Sequence, residues 1–236
     1  MEDQSSSEHL SSSLTDLMTS LMVIFILLLL VFISHTAGKD QALRDTLLSE
    51  LRRDLIPQGK DRTPQGFKES SILPDPKNRD AILVIVPNNL MGFDTQKATL
   101  KKDGQTFLQT HIPAFADVLC SDRFQSSIDS IVVEGHTDTQ KFGKTDEESQ
   151  NNNLKLSQER SMAVVEESLA DLKGDKTRNC FLEKLSATGR GEQEAIRPDG
   201  PGPDASEKAD EQSRRVIFKI RVRAGEKDNI EAKVAQ

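Results

Sequence analysis

The stretch Ser130-Ile131-Val132-Val133-Glu134-Gly135-His136-Thr137-Asp138 decides how the C-terminal part of the chain is read. Its first six residues are rich in β-branched apolar side chains and predict a buried strand. The next three turn polar at once, so the strand delivers His136, Thr137 and Asp138 to one end of a sheet. Taken alone, Asp138 reads as a turn cap. His136 reads as structural, because no nucleophile or second histidine completes a triad or a metal site around it.

Other strand signals lie outward from this point. Residues 81–86 (AILVIV) are apolar throughout, residues 185–188 read as a short strand, and residues 215–222 (RVIFKIRV) alternate cleanly. Asn88 and Asn89 mark a turn, and residues 90–93 read as a further short strand. Apolar spacing predicts a helix over residues 99–119, started or kinked at Pro113. A second helix is predicted over residues 154–172, with Ser157 at its cap or in its first turn. Residues 140–153 and 190–212 read as polar loops. The order β-α-β-α-β implies an α+β domain, its helices covering one face of a mixed sheet.

Composition bounds the function. The 236 residues suffice for one membrane helix and one ordinary domain. A net charge of −7 leaves no basic excess to neutralise phosphates, which argues against a nucleic-acid partner. Cys120 and Cys180 belong to no CxxC or Cys/His cluster, so no zinc site is expected. They either form one disulfide in an exported domain or remain two partly buried thiols. No feature supports an enzyme or a bound cofactor.

The N-terminal region carries an uncharged apolar run over residues 17–33. No Lys or Arg precedes it, whereas Glu2, Asp3, Glu8 and Asp16 do, and it is longer than a signal-peptide core. It therefore reads as a retained single-span transmembrane helix, residues 14–34, behind a disordered tail of residues 1–13. The usual interfacial Trp/Tyr belt is missing, because the chain contains neither residue. Lys39, Arg44, Arg52 and Arg53 follow the span. By the positive-inside rule alone they place the C-terminal side in the cytoplasm. After a soft break at Gly38, Leu43, Leu47, Leu48, Leu51 and Leu55 recur at helical spacing. That stripe pairs with a second copy, packs on its own domain or lies on the membrane surface. Pro57, Pro64, Pro74 and Pro76 mark a linker. Residues 35–79 thus read as juxtamembrane helix and linker, 80–224 as the folded domain and 225–236 as a polar tail.

Four motifs in order carry a resemblance. Gly135-His136-Thr137-Asp138 follows a strand, and Leu156-Ser157-Gln158-Glu159-Arg160 opens the next helix. Gly189-Arg190-Gly191-Glu192 follows the short strand, and Ser213-Arg214-Arg215-Val216 opens the last one. With Phe93-Asp94 and Leu100 upstream, the set resembles the OmpA-like peptidoglycan-binding domain. The resemblance implies that Asp138 takes the ammonium of a diaminopimelate residue and Arg160 its carboxylate, through a two-pronged hydrogen bond. It further implies neutral hydrogen bonds from Thr137 and Asn153, with Arg215 structural or a rim contact. Two departures stand out. Ser213 replaces the usual Asn before the paired arginines, and the loop after Asp138 is long and acidic.

The front end has its own resemblance. Leu14-Thr15-Asp16-Leu17-Met18-Thr19-Ser20-Leu21-Met22 is similar to the start of the spanning helix in the flagellar stator subunit MotB, and more so to ZorB of the Zorya anti-phage system. This implies a homodimer inside a ring of multi-span MotA/ZorA-like partners in the bacterial inner membrane, with the C-terminal domain in the periplasm. Asp16 would carry H+ or Na+, assisted by Thr19 and Ser20. A carboxylate in hydrocarbon costs about 3 kcal/mol on insertion scales, and protonation removes that cost. Without the resemblance, Asp16 reads as a helix cap stabilised by the macrodipole. The alternatives are a flagellar stator subunit and a passive tether between envelope and peptidoglycan.

Overall fold

The computed structural model describes the backbone of residues 3–56, 67–196 and 203–223. Part of the predicted linker, part of the second predicted loop and the predicted tail at 225–236 lie outside the described residues. The chain divides into two compact units, Met1–Ala42 and Leu43–Gln236.

Helix α1 is assigned over Asp3–Leu55. It is continuous through Gly38, and it extends into the Ser-rich stretch read from sequence as disordered. Extending an existing helix costs little per residue, whereas starting one is expensive, so a weak former such as Gly38 does not break it. Within the first unit, Thr15–Ile33 is apolar enough to cross a membrane, with a mean hydropathy of 2.7 and none of it buried. At 1.5 Å per residue its 19 residues match a hydrocarbon core of about 30 Å.

In the second unit, a five-stranded sheet has the order β1-β2-β5-β3-β4. The strands are β1 (Ile72–Pro74), β2 (Ala81–Pro87), β3 (Ile128–His136), β4 (Leu185–Gly191) and β5 (Arg215–Val222). Only β3 and β4 pair in parallel, so the sheet is mixed. Strand alternation sends Val84 and Val86 of β2, Ile131 and Val133 of β3, and Val216, Phe218 and Ile220 of β5 into one core. Helices α3 (Lys102–Leu119) and α4 (Asp146–Asp171) contribute to that core, mainly through Leu108, Ile112, Phe115 and Val164. The predicted α+β arrangement is therefore the one observed.

The leucine stripe packs on its own domain. Leu47, Leu48, Leu51 and Leu55 are all buried in the same core as Phe67 and Ile72. Arg52 donates from Nε and Nη2 to the Ile72 carbonyl at 2.9 and 2.8 Å, and Arg44 Nη1 donates to the Arg79 carbonyl at 2.7 Å. The folded unit therefore begins at Leu43, not near residue 80, and β1 lies inside the stretch read as linker.

Several local readings change. Residues 90–93 are not a strand: Asn88–Met91 form the one-turn helix α2, closed by Gly92 in the left-handed conformation at φ 65°. Pro113 lies inside α3. Helix α4 begins at Asp146, eight residues before the predicted start. Thr145 caps it by accepting from the Glu148 N–H, and Asp146, Glu147 and Glu148 in the first turn complement the helix dipole. Helices α5 (Asp175–Lys184) and α6 (Pro203–Ser213) occupy segments left unassigned or read as loop. Cys120, at the C-terminal end of α3, is disulfide-bonded to Cys180 in α5 with a Cα–Cα distance of 6.0 Å. Of the two readings left open by the sequence, the structure takes the disulfide.

Candidate functional site

The site forms where α4 crosses the ends of β3 and β4, and two glycines permit the crossing. A Cβ on Gly135 would stand 2.1 Å from the Ser157 carbonyl oxygen, and one on Gly189 would stand 2.6 Å from the Gln158 nitrogen. Only glycine allows backbones that close. Ser157 fastens the crossing: its Oγ donates to the Leu154 carbonyl at 2.7 Å and accepts from the Gly191 N–H at 2.8 Å. Thus Ser157 lies in the fourth turn of α4 rather than at the cap, and its work is tertiary.

This crossing brings Thr137, Asp138, Asn153 and Arg160 to one small pocket of about 50 Å³, which Gln96, Gln140, Phe142 and Arg214 also line. Asp138 is 7% exposed, and its Oδ1 accepts the Gln140 N–H at 3.1 Å. Its Oδ2 lies 2.6 Å from Arg214 Nη1. Arg160 is 4% exposed. It donates from Nε to the Lys97 carbonyl at 2.9 Å and from Nη2 to the Asp94 carbonyl at 2.8 Å. Its guanidinium lies 5.2 Å from the centre of the Phe93 ring, a cation–π distance. Phe93-Asp94 and Arg160 therefore meet as one structural clamp. Burial pushes the Arg160 guanidinium down to about 10, against the opposing pull of Asp138, and it stays charged at neutral pH. Asn153 Nδ2 donates to the Gln140 carbonyl at 3.4 Å and to Glu192 at 3.3 Å. The Thr137 hydroxyl is buried with no partner among the described residues.

Arg215 does not line this pocket. Side chains alternate along β5, so Arg215 shares a face with Ile217 and Lys219, opposite the helix-covered core. There it borders a separate opening of about 490 Å³ with Glu134, Arg190 and Glu194. It donates to the carbonyls of Ser213 at 3.1 Å and Glu194 at 3.1 Å, which fits a structural role. Its neighbour Arg214, one residue before the strand, turns into the pocket instead. Sequence reasoning missed Arg214, and strand alternation was the available signal. Ser213 is fully buried: it donates to the Ala209 carbonyl and accepts from the Ile196 N–H, closing α6 onto the preceding chain. His136 is buried as well, and burial pushes its imidazole down despite Glu134 at 3.7 Å.

On α1, Asp16, Thr19 and Ser20 are exposed, and their i, i+3, i+4 spacing places them on one helix face. Thr19 Oγ1 donates to the Thr15 carbonyl at 2.6 Å. Leu17, Met18 and the residues from Leu21 to Ile33 are apolar and exposed around the whole helix. Among the described residues no cluster of His, Cys, Asp and Glu is arranged to hold a metal.

Comparison with solved structures places the architecture. A MotB-like protein from Desulfovibrio vulgaris matches with a TM-score of 0.50 at 18% identity, over 80% of this chain and 98% of its own. The periplasmic domain of Helicobacter pylori MotB matches at 0.44 and 17% identity, over 66% and 82%. The cell wall anchor of the T6SS from Pseudomonas aeruginosa matches at 0.42 and 22%, over 65% and 89%. No curated protein gives a significant match. The profile of the OmpA family matches residues 92–209, which is half of the chain and contains Asp138, Arg160 and both glycines of the crossing. The chain belongs to the OmpA family.

Proposed function

We propose that the chain is a single-span inner-membrane protein whose OmpA-like domain anchors it to peptidoglycan and whose spanning helix carries H+ or Na+ on Asp16. It acts as the small subunit of an ion-driven stator, as a homodimer within a ring of multi-span MotA/ZorA-like partners. The observation that carries the anchoring half is the pocket itself. A buried carboxylate, a buried guanidinium and an unpartnered buried hydroxyl face a common space. Polar groups so buried normally find partners, so the Thr137 hydroxyl marks a place for a ligand's polar atom. Diaminopimelate in the stem peptide supplies the matching ammonium and carboxylate.

The ion-carrying half rests on Asp16 at the start of an apolar span, with Thr19 and Ser20 on its face. Beyond Ser20 the outer surface of that span is apolar, which suits lipid or partner helices. The Cys120–Cys180 disulfide supports a periplasmic domain, because oxidising compartments keep such bonds. It outweighs the basic residues after the span, which favour the opposite orientation. Between defence and motility, the Leu-rich span and the absence of basic residues before it favour the ZorB type, and genes neighbouring this one test that choice.

One paired experiment tests the two halves. Protein co-expressed with its multi-span partner is assayed for ion flux and for retention on purified sacculi. Asp16→Asn abolishes flux and leaves retention intact, and Asp138→Asn abolishes retention. Full flux in Asp16→Asn reduces the protein to a passive tether. Full retention in Asp138→Asn refutes the pocket as the anchor.

A further inference from the structure

Within the chain itself, both carboxylate oxygens of Asp138 are already engaged, Oδ2 by Arg214 at 2.6 Å and Oδ1 by the Gln140 N–H at 3.1 Å. The pocket measures about 50 Å³, whereas small-molecule sites usually span roughly 300–1,000 Å³. A ligand ammonium can reach Asp138 only if Arg214 moves. Arg214 is free to do so, since its side chain is 27% exposed against 10% for Asp138. Arg160 is not. Its Nε and Nη2 hold two backbone carbonyls, and swinging it away would leave both unpaired in a buried setting.

We propose that Arg214 is a specificity-determining residue of this pocket: it holds Asp138 until a ligand offers an ammonium to Asp138 and a carboxylate to the released guanidinium. The pocket then selects a zwitterionic amino-acid end over a bare amine or an amide. This rests on the anchoring reading above and adds the group that enforces its choice of ligand.

The charge count supports the selection. Arg160 and Arg214 against Asp138 leave the pocket one positive charge in excess, and Lys141 at its edge is paired with Asp146 at 2.9 Å. An ammonium alone would displace Arg214 and raise that excess to two charges at close range, where like charges repel most. A zwitterion leaves the total unchanged. Its carboxylate gives the displaced guanidinium a two-pronged partner, and the unpartnered Thr137 hydroxyl gives it a further donor.

The test uses the full-length protein in detergent, titrated with meso-diaminopimelate and with its diamide, which keeps both ammonium groups and lacks both carboxylates. The wild type binds the acid about tenfold or more tightly than the diamide, equivalent to about 1.4 kcal/mol. Arg214→Gln removes the internal competitor and the carboxylate partner together. It strengthens diamide binding, weakens acid binding and brings the two affinities together. Arg214→Lys keeps the charge and most of the preference, so a difference between Lys and Gln separates this role from a purely structural one. An undiminished preference in Arg214→Gln, or identical behaviour of the Lys and Gln variants, overturns the proposal while the anchoring reading stands. Wild-type protein that binds neither compound, or Asp138→Asn that binds the acid as well as wild type, overturns both.

Discussion

Truncating Leu47 and Leu51 tests whether the end of α1 belongs to the folded domain. Both side chains are 0% exposed and sit in the core with Phe67 and Ile72. A buried Leu→Ala change costs about 2–5 kcal/mol, from lost transfer energy and the cavity left behind. Taking about 3 kcal/mol for Leu51→Ala and a urea m-value of about 2 kcal/mol/M, the unfolding midpoint falls by about 1.5 M. The double variant loses less than twice this, because the two leucines share neighbours and their effects couple. A stripe exposed to solvent, or used only in a coiled coil between copies, predicts a change within about 0.5 kcal/mol in the monomer, since Ala is itself a good helix former. The chain has no Trp or Tyr, so intrinsic fluorescence is a poor probe and far-UV circular dichroism follows the urea transition instead. Leu21→Ala, exposed on the spanning helix, is the control. A midpoint for Leu51→Ala equal to that of Leu21→Ala refutes the docking of residues 43–55.

Two further outcomes follow from the same packing. Burial pushes His111 and His136 below their ordinary value. Their neutral forms are therefore favoured in the folded state, and the stability they contribute is complete above about pH 6.5 and is lost as pH falls through their lowered folded values. Urea midpoints of the domain accordingly decline between pH 7.5 and pH 5. His111→Phe, which suits the neighbouring Phe67 and Phe107 rings at 5.4 and 4.5 Å, flattens part of that decline. An unaltered pH profile in that variant counts against the assignment. The disulfide closes 60 residues of sequence, worth about 4 kcal/mol by chain entropy, so Cys120→Ser with Cys180→Ser lowers stability by up to that amount. In cells, thiol trapping after acid quench finds both cysteines blocked until reductant is added. Two freely alkylated thiols in native cells would place the domain in a reducing compartment and reverse the proposed orientation.

The legible parts of the fold were those with a strong period or a strong motif. The β5 strand was read with its bounds intact because RVIFKIRV alternates without interruption, and Asp138, Arg160, Thr137 and Asn153 do converge on one pocket. The misread parts depended on tertiary contacts or on weak local signals. Residues 72–74 resembled linker because of Pro74 and Pro76, yet three residues suffice for an edge strand against β2, where proline is tolerated. The start of α4 was hidden in a polar run, although Thr145-Asp146-Glu147-Glu148 contains both a capping residue and first-turn acids. Helix α6 begins at Pro203, where proline is favoured at the first helical position, but the surrounding Gly and Pro outweighed that cue. The leucine stripe was evident as a stripe; which surface it covers is a property of the partner face, and no periodicity encodes that.

The motifs that reveal the family are, for the most part, not the groups free to bind. Gly135, Ser157 and Gly189 let α4 cross the sheet ends, and Arg160 spends two of its donors on the loop that carries Phe93 and Asp94. Losing any of them damages the pocket by moving its walls, and a binding defect in such a variant says little about ligand contact. Arg160 meets a ligand from a fixed position, and the groups able to exchange partners are few: Asp138, the Thr137 hydroxyl and Arg214. Of these, Arg214 has the greatest access to solvent and holds the one ion pair that must open. Motif identity therefore argues for the shape of the site, whereas ligand choice depends on which of its charges can move, and here that distinction falls between adjacent arginines on opposite faces of one strand end.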